Sequence, residues 1–344
     1  MDGRGSRAEA VRVVQVMRRT FPGHYSIERV FEQIRPELRR QGYAVEEVAV
    51  RDFSLGLRPR LRTALEAARI DAPVVHLTGD ITYAGLLRRR RGTVLTVHDT
   101  EFLDRATGAK RIAYTWLWLR LPVWRADVVT VVSEATRNDL EALVKTRRGK
   151  VRIVPNPVSP ALVSQPEAPR PLPPQPVVLL VGTRPNKNVI RAVGALTGTN
   201  CRVLMVGRPD PEQEMAIERS GVEVEVRYGL DDAGLRGCYE ESDLLLFAST
   251  KEGFGIPVLE AQAMGRPVVT SKLAPLCDVA GPGGAELVDP WDPASIRAGV
   301  ERVLDDATYR AALVEQGRIN VAGYSPGAVA ARYGAVYDEV ARRR

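Results

Sequence analysis

Cysteine, histidine and long apolar runs are all scarce in this chain, and each shortage removes a class of function. The three cysteines, Cys201, Cys238 and Cys277, are far apart, odd in number and without paired metal spacing. That favours reduced thiols over a disulfide framework. No run approaches the roughly 18 consecutive apolar residues of a membrane span. Residues 1–10 are charged and contain glycine, with no apolar core of a signal peptide. Together these features predict a cytoplasmic protein. No Asp-x-Asp pair stands at a strand end to hold a divalent cation. Nor is there an evident Ser/His/Asp or cysteine-centred arrangement for nucleophilic catalysis.

What is present is an ordinary globular composition, 44% hydrophobic and 26% charged, over 344 residues. That length suits two α/β domains of about 150 residues each. The charge is uneven. Residues 1–175 hold 30 Lys/Arg against 19 Asp/Glu, and the remainder holds 19 against 23. The first half therefore suits an anionic partner, which nucleic acid, an anionic membrane surface and a phosphate-bearing acceptor would each supply. Its densest clusters are Arg88-Arg89-Arg90-Arg91 and the stretch 145–152, either of which also reads as a solvated basic face.

Short β-branched runs at residues 11–17, 48–50, 74–77, 94–97, 128–132 and 151–154 read as buried strands, with helix-like stretches between several of them. Ser26 is placed to cap the first helix, where Ile27, Val30, Phe31 and Ile34 follow a helical period. The rhythm breaks at residues 155–176, which hold nine of the 24 prolines and read as a stiff linker. It then restarts with strands at 177–181, 203–206, 222–226, 244–247 and 267–270. Helices are expected from Asn188, over 232–240 and over 256–264. The predicted fold class is α/β, with two Rossmann-like, doubly wound parallel-sheet domains facing across a cleft. The predicted boundaries are 1–160 and 177–325, joined by a linker at 161–176, with a final helical stretch at 326–344.

The most informative segment is STKEGFGIPVLEAQAMGRP, residues 249–267. Gly253 and Gly255 let backbone approach a ligand, and free N–H groups at a helix start favour an anion. Glu252 and Glu260 lie eight apart, one before the helix and one about a turn inside it, so both carboxylates can face one ligand. A carboxylate accepts from two hydroxyls at once, which suits a sugar or a ribose. In VGTRPNKN, residues 181–188, Gly182 follows a strand while Arg184 and Lys187 can reach the same phosphates. His98 and Asp99 end the strand at 94–97, where a ligand of such a sheet binds. His24 and Gly23 lie in the first loop, and His76 at another strand end reads as structural.

EGFGIPVLE resembles the E-x7-E motif of retaining glycosyltransferases of the GT-B fold, specifically the large family four. VGTRPNKN is similar to that family's phosphate-binding stretch, and TVHDTEF (residues 96–102) to its acceptor-side loop. ADVVTVVSEATRNDL (126–140) and VRIVPNPV (151–158) match in style and order. The resemblance implies transfer of a sugar from a nucleotide diphosphate sugar to a glycan or lipid-linked acceptor, with neither metal nor other cofactor. On it, Glu252 holds sugar hydroxyls, Glu260 the ribose, and Arg184 with Lys187 the phosphates. Gly182, Gly253 and the backbone of Phe254 and Gly255 complete the donor side. His98 contacts the donor sugar or stabilises the site, and Asp99 supports acceptor or loop geometry. Family members carry a glycine pair in the first loop, where this chain has Gly23 alone. The resemblance also implies that the final helix returns to the first domain.

Residues 114–124, YTWLWLRLPVW, read first as a helix buried against its sheet, and second as an interfacial stripe at the inner face of a membrane. Two further functional classes compete with sugar transfer. A nucleotide-sugar epimerase can share the architecture. A nucleic-acid-binding protein would use the basic half, yet no nucleic-acid module is recognisable, and three of the four tryptophans fall in one stretch instead of along a groove.

Overall fold

A computed structural model describes residues 10–19, 26–54, 56–79, 81–88, 91–103, 106–163 and 171–343. The chain divides into two units, residues 1–157 with 326–344, and residues 158–325. Each is a six-stranded, wholly parallel sheet flanked by helices. In the first the strands are β1 (Arg12–Met17), β2 (Ala44–Ala49), β3 (Val74–Leu77), β4 (Thr93–Val97), β5 (Val128–Val131) and β6 (Val151–Ile153), in the order β2-β1-β3-β4-β5-β6. In the second they are β7 (Val177–Val181), β8 (Arg202–Val206), β9 (Glu223–Arg227), β10 (Leu244–Phe247), β11 (Val268–Ser271) and β12 (Glu286–Val288), in the order β12-β11-β10-β7-β8-β9. This is the doubly wound α/β architecture.

The central strands are buried on both faces because helices cover both, as parallel crossovers require. β3, β4, β5 and β10 are buried at every position. The edges differ. β2 runs over Ala44–Ala49 and exposes Glu46 and Glu47, so its six residues exceed the expected run at 48–50. It pairs only with β1, and an edge strand tolerates charge on its outer side. The helix Pro326–Arg342 packs on the first sheet, where Val329, Tyr333, Tyr337 and Val340 join Phe31, Ile34 and Leu38 of the helix Ser26–Arg40 in one apolar cluster.

One sequence expectation is corrected and a second is narrowed. Arg88, read as part of a solvated basic run, is buried, and its guanidinium donates to the carbonyls of Ala67 and Ile70 and to Thr93 Oγ1. Arg89 and Arg90 lie outside the described residues. The stretch 114–124 is a core stripe on one face only, with Tyr114 and Trp118 packed against the core. Leu119 and Val123 are buried, while Trp116, Leu117 and Trp124 are exposed.

A buried polar chain crosses the first core. Arg35 Nε donates to Gln15 Oε1 at 3.1 Å, and Gln15 Nε2 donates to the Tyr337 hydroxyl at 3.3 Å. His76 Nδ1 lies 2.8 Å from that hydroxyl, its Nε2 lies 2.6 Å from Thr96 Oγ1, and Thr130 Oγ1 lies 2.6 Å beyond. Burial, helped by the neighbouring His98, pushes the His76 pKa down to about 3, so the ring is neutral in the fold. An unfolded histidine takes a proton near pH 6.5. The stability from neutral His76 is thus complete above that pH and is lost as pH falls from there toward 3, at up to about 1.4 kcal/mol per pH unit. Urea unfolding of the wild type is expected to lose midpoint steadily below pH 6. His76→Gln, unable to protonate, should show a shallower dependence by this one group's share, and equal slopes would refute the assignment.

Candidate functional site

In the second unit the chain winds from β7 outward to β8 and β9, then returns to β10 and runs the other way to β11 and β12. The loops leaving β7 and β10 therefore diverge from neighbouring strands, which is where such sheets form a crevice. Both loops are polar and bind to each other. Thr250 N donates to Asn186 O at 2.9 Å, and Asn186 Nδ2 donates to Lys251 O at 2.8 Å. Asn188 Nδ2 reaches Ala248 O at 3.0 Å and Pro290 O at 2.6 Å. Asn188 is left-handed at φ 60° and caps the helix Val189–Ala195. Asparagine tolerates that conformation far better than branched residues do.

The loops converge on an ion pair. Lys187 Nζ lies 2.6 Å from Glu252 Oε1, and both side chains are largely buried. Asn186 Nδ2 supports the same oxygen at 3.4 Å. The ammonium also stands 4.5 Å over the Phe247 ring, a favourable site for a cation. Two consequences follow. Glu252 Oε2 has no partner among the described residues, so it can accept a hydroxyl. Lys187, with three N–H donors, keeps capacity for an anion beyond its bond to Glu252. Gly182, at φ 91°, stands where an added Cβ would come within 3.0 Å of Lys187 Cε.

The helix Ile256–Ala263 begins at Gly255, which sits at φ 103°. The amides of Phe254 and Gly255 make no hydrogen bond to any described residue, while the Phe254 ring packs edge-on against Tyr324. Gly253 continues the same loop. Inside the helix, Glu260 Oε2 accepts from the Tyr239 hydroxyl at 2.7 Å. Burial first, and then the nearby Glu260 charge, hold the Tyr239 pKa well above its usual value, so the phenol remains a donor. Ser249 Oγ, just beyond β10, is buried without a hydrogen-bond partner among the described residues.

Lys187, Glu252, Phe254 and Gly255 thus lie on the two loops at one switch point, with Glu260 on the helix that follows. Arg184 is different. Its side chain is exposed and bonds to no described residue, so the arginine and lysine are not joined as a pair in this structure. In the first unit, His98 Nε2 donates to Thr78 O at 3.0 Å, and Thr78 Oγ1 in turn donates to Val16 O at the end of β1. That fixes His98 beside β1 and β3, where the first sheet changes direction. Asp99 Oδ1 accepts from Glu101 N at 3.0 Å and shapes its own loop. Gly23 and His24 lie outside the described residues. Sequence reasoning missed Tyr239 and Asn186. Tyr239 lies 21 positions before Glu260 with no pattern linking them. Asn186 lay inside the quoted phosphate stretch, but only its position beside Glu252 reveals its role.

Two family models match the chain: Glycosyltransferase Family 4 over residues 37–162 and Glycosyl transferases group 1 over residues 166–320. A mannosyltransferase of Mycolicibacterium hassiacum, MMP alpha-(1->4)-mannosyltransferase, is 34% identical over 140 residues, a match that spans 39% of this chain and only 34% of that relative. Among solved structures, sucrose-phosphate synthase from Thermosynechococcus elongatus superposes with a TM-score of 0.76 at 19% identity, covering 97% of this chain and 100% of that one. Anabaena Alr3699/HepE in complex with UDP and glucose gives 0.73 at 16% identity, over 96% and 100% of the two chains. The two glycosyltransferase models together match most of the chain, and its fold is that of the GT-B glycosyltransferase structures.

Gly255 tests how firmly the loop is set. A Cβ there would lie 2.4 Å from Leu276 Cδ2 on a backbone at φ 103°. Gly255→Ala is expected to cost about 2–4 kcal/mol, from the left-handed penalty and overpacking together. Urea unfolding measures the loss, and the Gly255→Ala increment should shrink when it is measured in a Leu276→Ala background. A cost below about 1 kcal/mol would mean that the loop shifts freely.

Proposed function

We propose that the protein is a retaining, metal-independent glycosyltransferase that moves a hexose-type sugar from a nucleotide diphosphate sugar to a hydroxyl of a glycan or lipid-linked acceptor. The observation that carries this reading is the Lys187–Glu252 pair at the switch point, with one carboxylate oxygen engaged and the other open. Glu252 Oε2 accepts a sugar hydroxyl. Glu260, steadied by Tyr239, holds the ribose hydroxyls. Lys187 and the open amides of Phe254 and Gly255 meet the diphosphate, where negative charge grows as the bond breaks. Arg184, whose side chain is exposed, adds a second cation once phosphate is present. His98 and Asp99 serve the sugar and acceptor side.

In the reaction the acceptor oxygen attacks the anomeric carbon on the face from which the phosphate departs. The carbon–oxygen bond to the phosphate breaks, and a departing phosphate oxygen takes the acceptor's proton. The products are the glycoside and the protonated nucleotide diphosphate. The transition state is oxocarbenium-like. Cations and amides here perform the neutralisation that a divalent ion supplies elsewhere. The mannosyltransferase relative and the UDP-bound structural neighbour make mannose and UDP reasonable first choices of sugar and nucleotide.

The test is nucleotide diphosphate release from a panel of UDP-, GDP-, ADP- and TDP-sugars, with EDTA present. One donor should be turned over, and Glu252→Ala or Lys187→Ala should lower kcat about a hundredfold or more. The product anomer, read by NMR, should keep the donor's configuration. Abolition by EDTA would overturn metal independence, and an epimerised nucleotide sugar formed without acceptor would overturn transfer. Tyr239→Phe removes one hydrogen bond to a carboxylate and should raise the donor Kd about tenfold by calorimetry. Unchanged affinity would separate Glu260 from the donor.

A further inference from the structure

We propose that the helix Leu57–Arg69 and the stretch from Gly108 to Arg125 together form a docking surface for an anionic lipid bilayer. The helix Leu57–Arg69 buries Thr63, Ala64 and Ala67 but turns Leu57, Leu61 and Leu65 to solvent, with Leu57 80% exposed. Their spacing of four places them on one stripe. The second stretch exposes Ile112 at 63%, Trp124 at 50%, and Trp116 and Leu117 between them. Trp116 and Trp124 meet edge to face at 5.7 Å, and Arg120 lies 4.9 Å over Trp116.

The two elements are neighbours. Both pack against the 3-10 segment Thr82–Leu87. The Arg60 guanidinium stands 4.6 Å over the Trp118 ring, which lies 5.2 Å from Tyr83. A third basic segment is fastened to them, since Trp124 Nε1 donates to Lys145 O at 3.3 Å and Lys150 Nζ to Trp124 O at 3.0 Å.

Charge selects the occupant. Residues 57–69, 106–126 and 145–150 hold twelve Lys/Arg and a single acid, Glu66. A second copy of the chain would bring the same cations against this face, which like-charge repulsion opposes. Nucleic acid would take the cations but offer little to Leu57, Leu61 and Ile112. An anionic bilayer satisfies both features, with leucine and tryptophan side chains seated among the headgroups and cations held at the lipid phosphates.

Flotation of the full chain with vesicles, without donor or acceptor, tests this independently of the transfer reaction. Binding is expected to phosphatidylcholine vesicles that contain phosphatidylglycerol and not to phosphatidylcholine alone. Leu57→Ser/Leu61→Ser/Ile112→Ser and, separately, Arg147→Glu/Arg148→Glu should each lower partitioning about tenfold or more. These exposed positions should leave the melting temperature unchanged, so lost binding is not lost folding. Absence of phosphatidylglycerol-dependent binding would overturn the proposal, as would binding that the triple serine variant leaves intact. It would equally fall if a random oligonucleotide bound with steep salt dependence and displaced the vesicles, or if the wild type were a dimer that the triple variant dissociates.

Discussion

The Lys187–Glu252 ion pair is the contact on which the second unit's site depends. It joins loops that sequence holds 65 positions apart, and it forms because β7 and β10 are hydrogen-bonded neighbours that send their loops out from the same sheet end. Two charges largely removed from water would be costly without further support. Asn186 and the Phe247 ring provide it, and the loop-to-loop bonds through Thr250 and Asn188 hold the backbone in place. The result is a carboxylate fixed in direction before any ligand arrives. Preorganisation of that kind lowers the cost of binding and of charge development alike.

The first unit uses polarity differently. Its histidine, tyrosine, threonine and glutamine side chains satisfy one another within the core, and the chain of bonds reaches Tyr337 on the last helix. Such a network is worth having only where its members are paired, as the His76, Gln15, Tyr337 and Thr96 side chains are. The same cluster explains how residues at the end of the chain contribute to a sheet built by its first half. Phe31 touches both His76 and His98 with its ring edge or face, so the buried network lies directly beneath the strand-end histidine.

The doubly wound pattern was legible because central parallel strands are buried on both faces and appear as unbroken β-branched runs, as at residues 74–77 and 128–131. Two of the four edge strands carry a weaker signal: β2 contains two glutamates, and β12 has only three residues. The eight-residue spacing of Glu252 and Glu260 was visible, but their partners were not, because Tyr239 and Lys187 come to them from other elements. Only one face of the tryptophan stretch is core, for a geometric reason. Thr115–Arg120 forms a π-helical turn, whose longer repeat rotates side chains away from the faces that a 3.6-residue period assigns. Leu119 then falls inside, while Trp116 and Leu117 face water.

Charge counted along the sequence is likewise not charge presented at the surface. Arg88 is consumed by backbone carbonyls, Arg35 by Gln15 and Glu47, and Arg18 by Glu28. These arginines contribute to the excess of the first half while serving as internal struts. Guanidinium suits the task, since its fixed fork of donors satisfies several acceptors at once. Arg147 and Arg148 are exposed, in a segment without a single acid. The basic half therefore divides into arginines that build the fold and cations that remain available to a partner. The available ones gather where leucine and tryptophan are also exposed, so the feature that needs explaining is this coincidence of charge with apolar surface, more than the net charge itself.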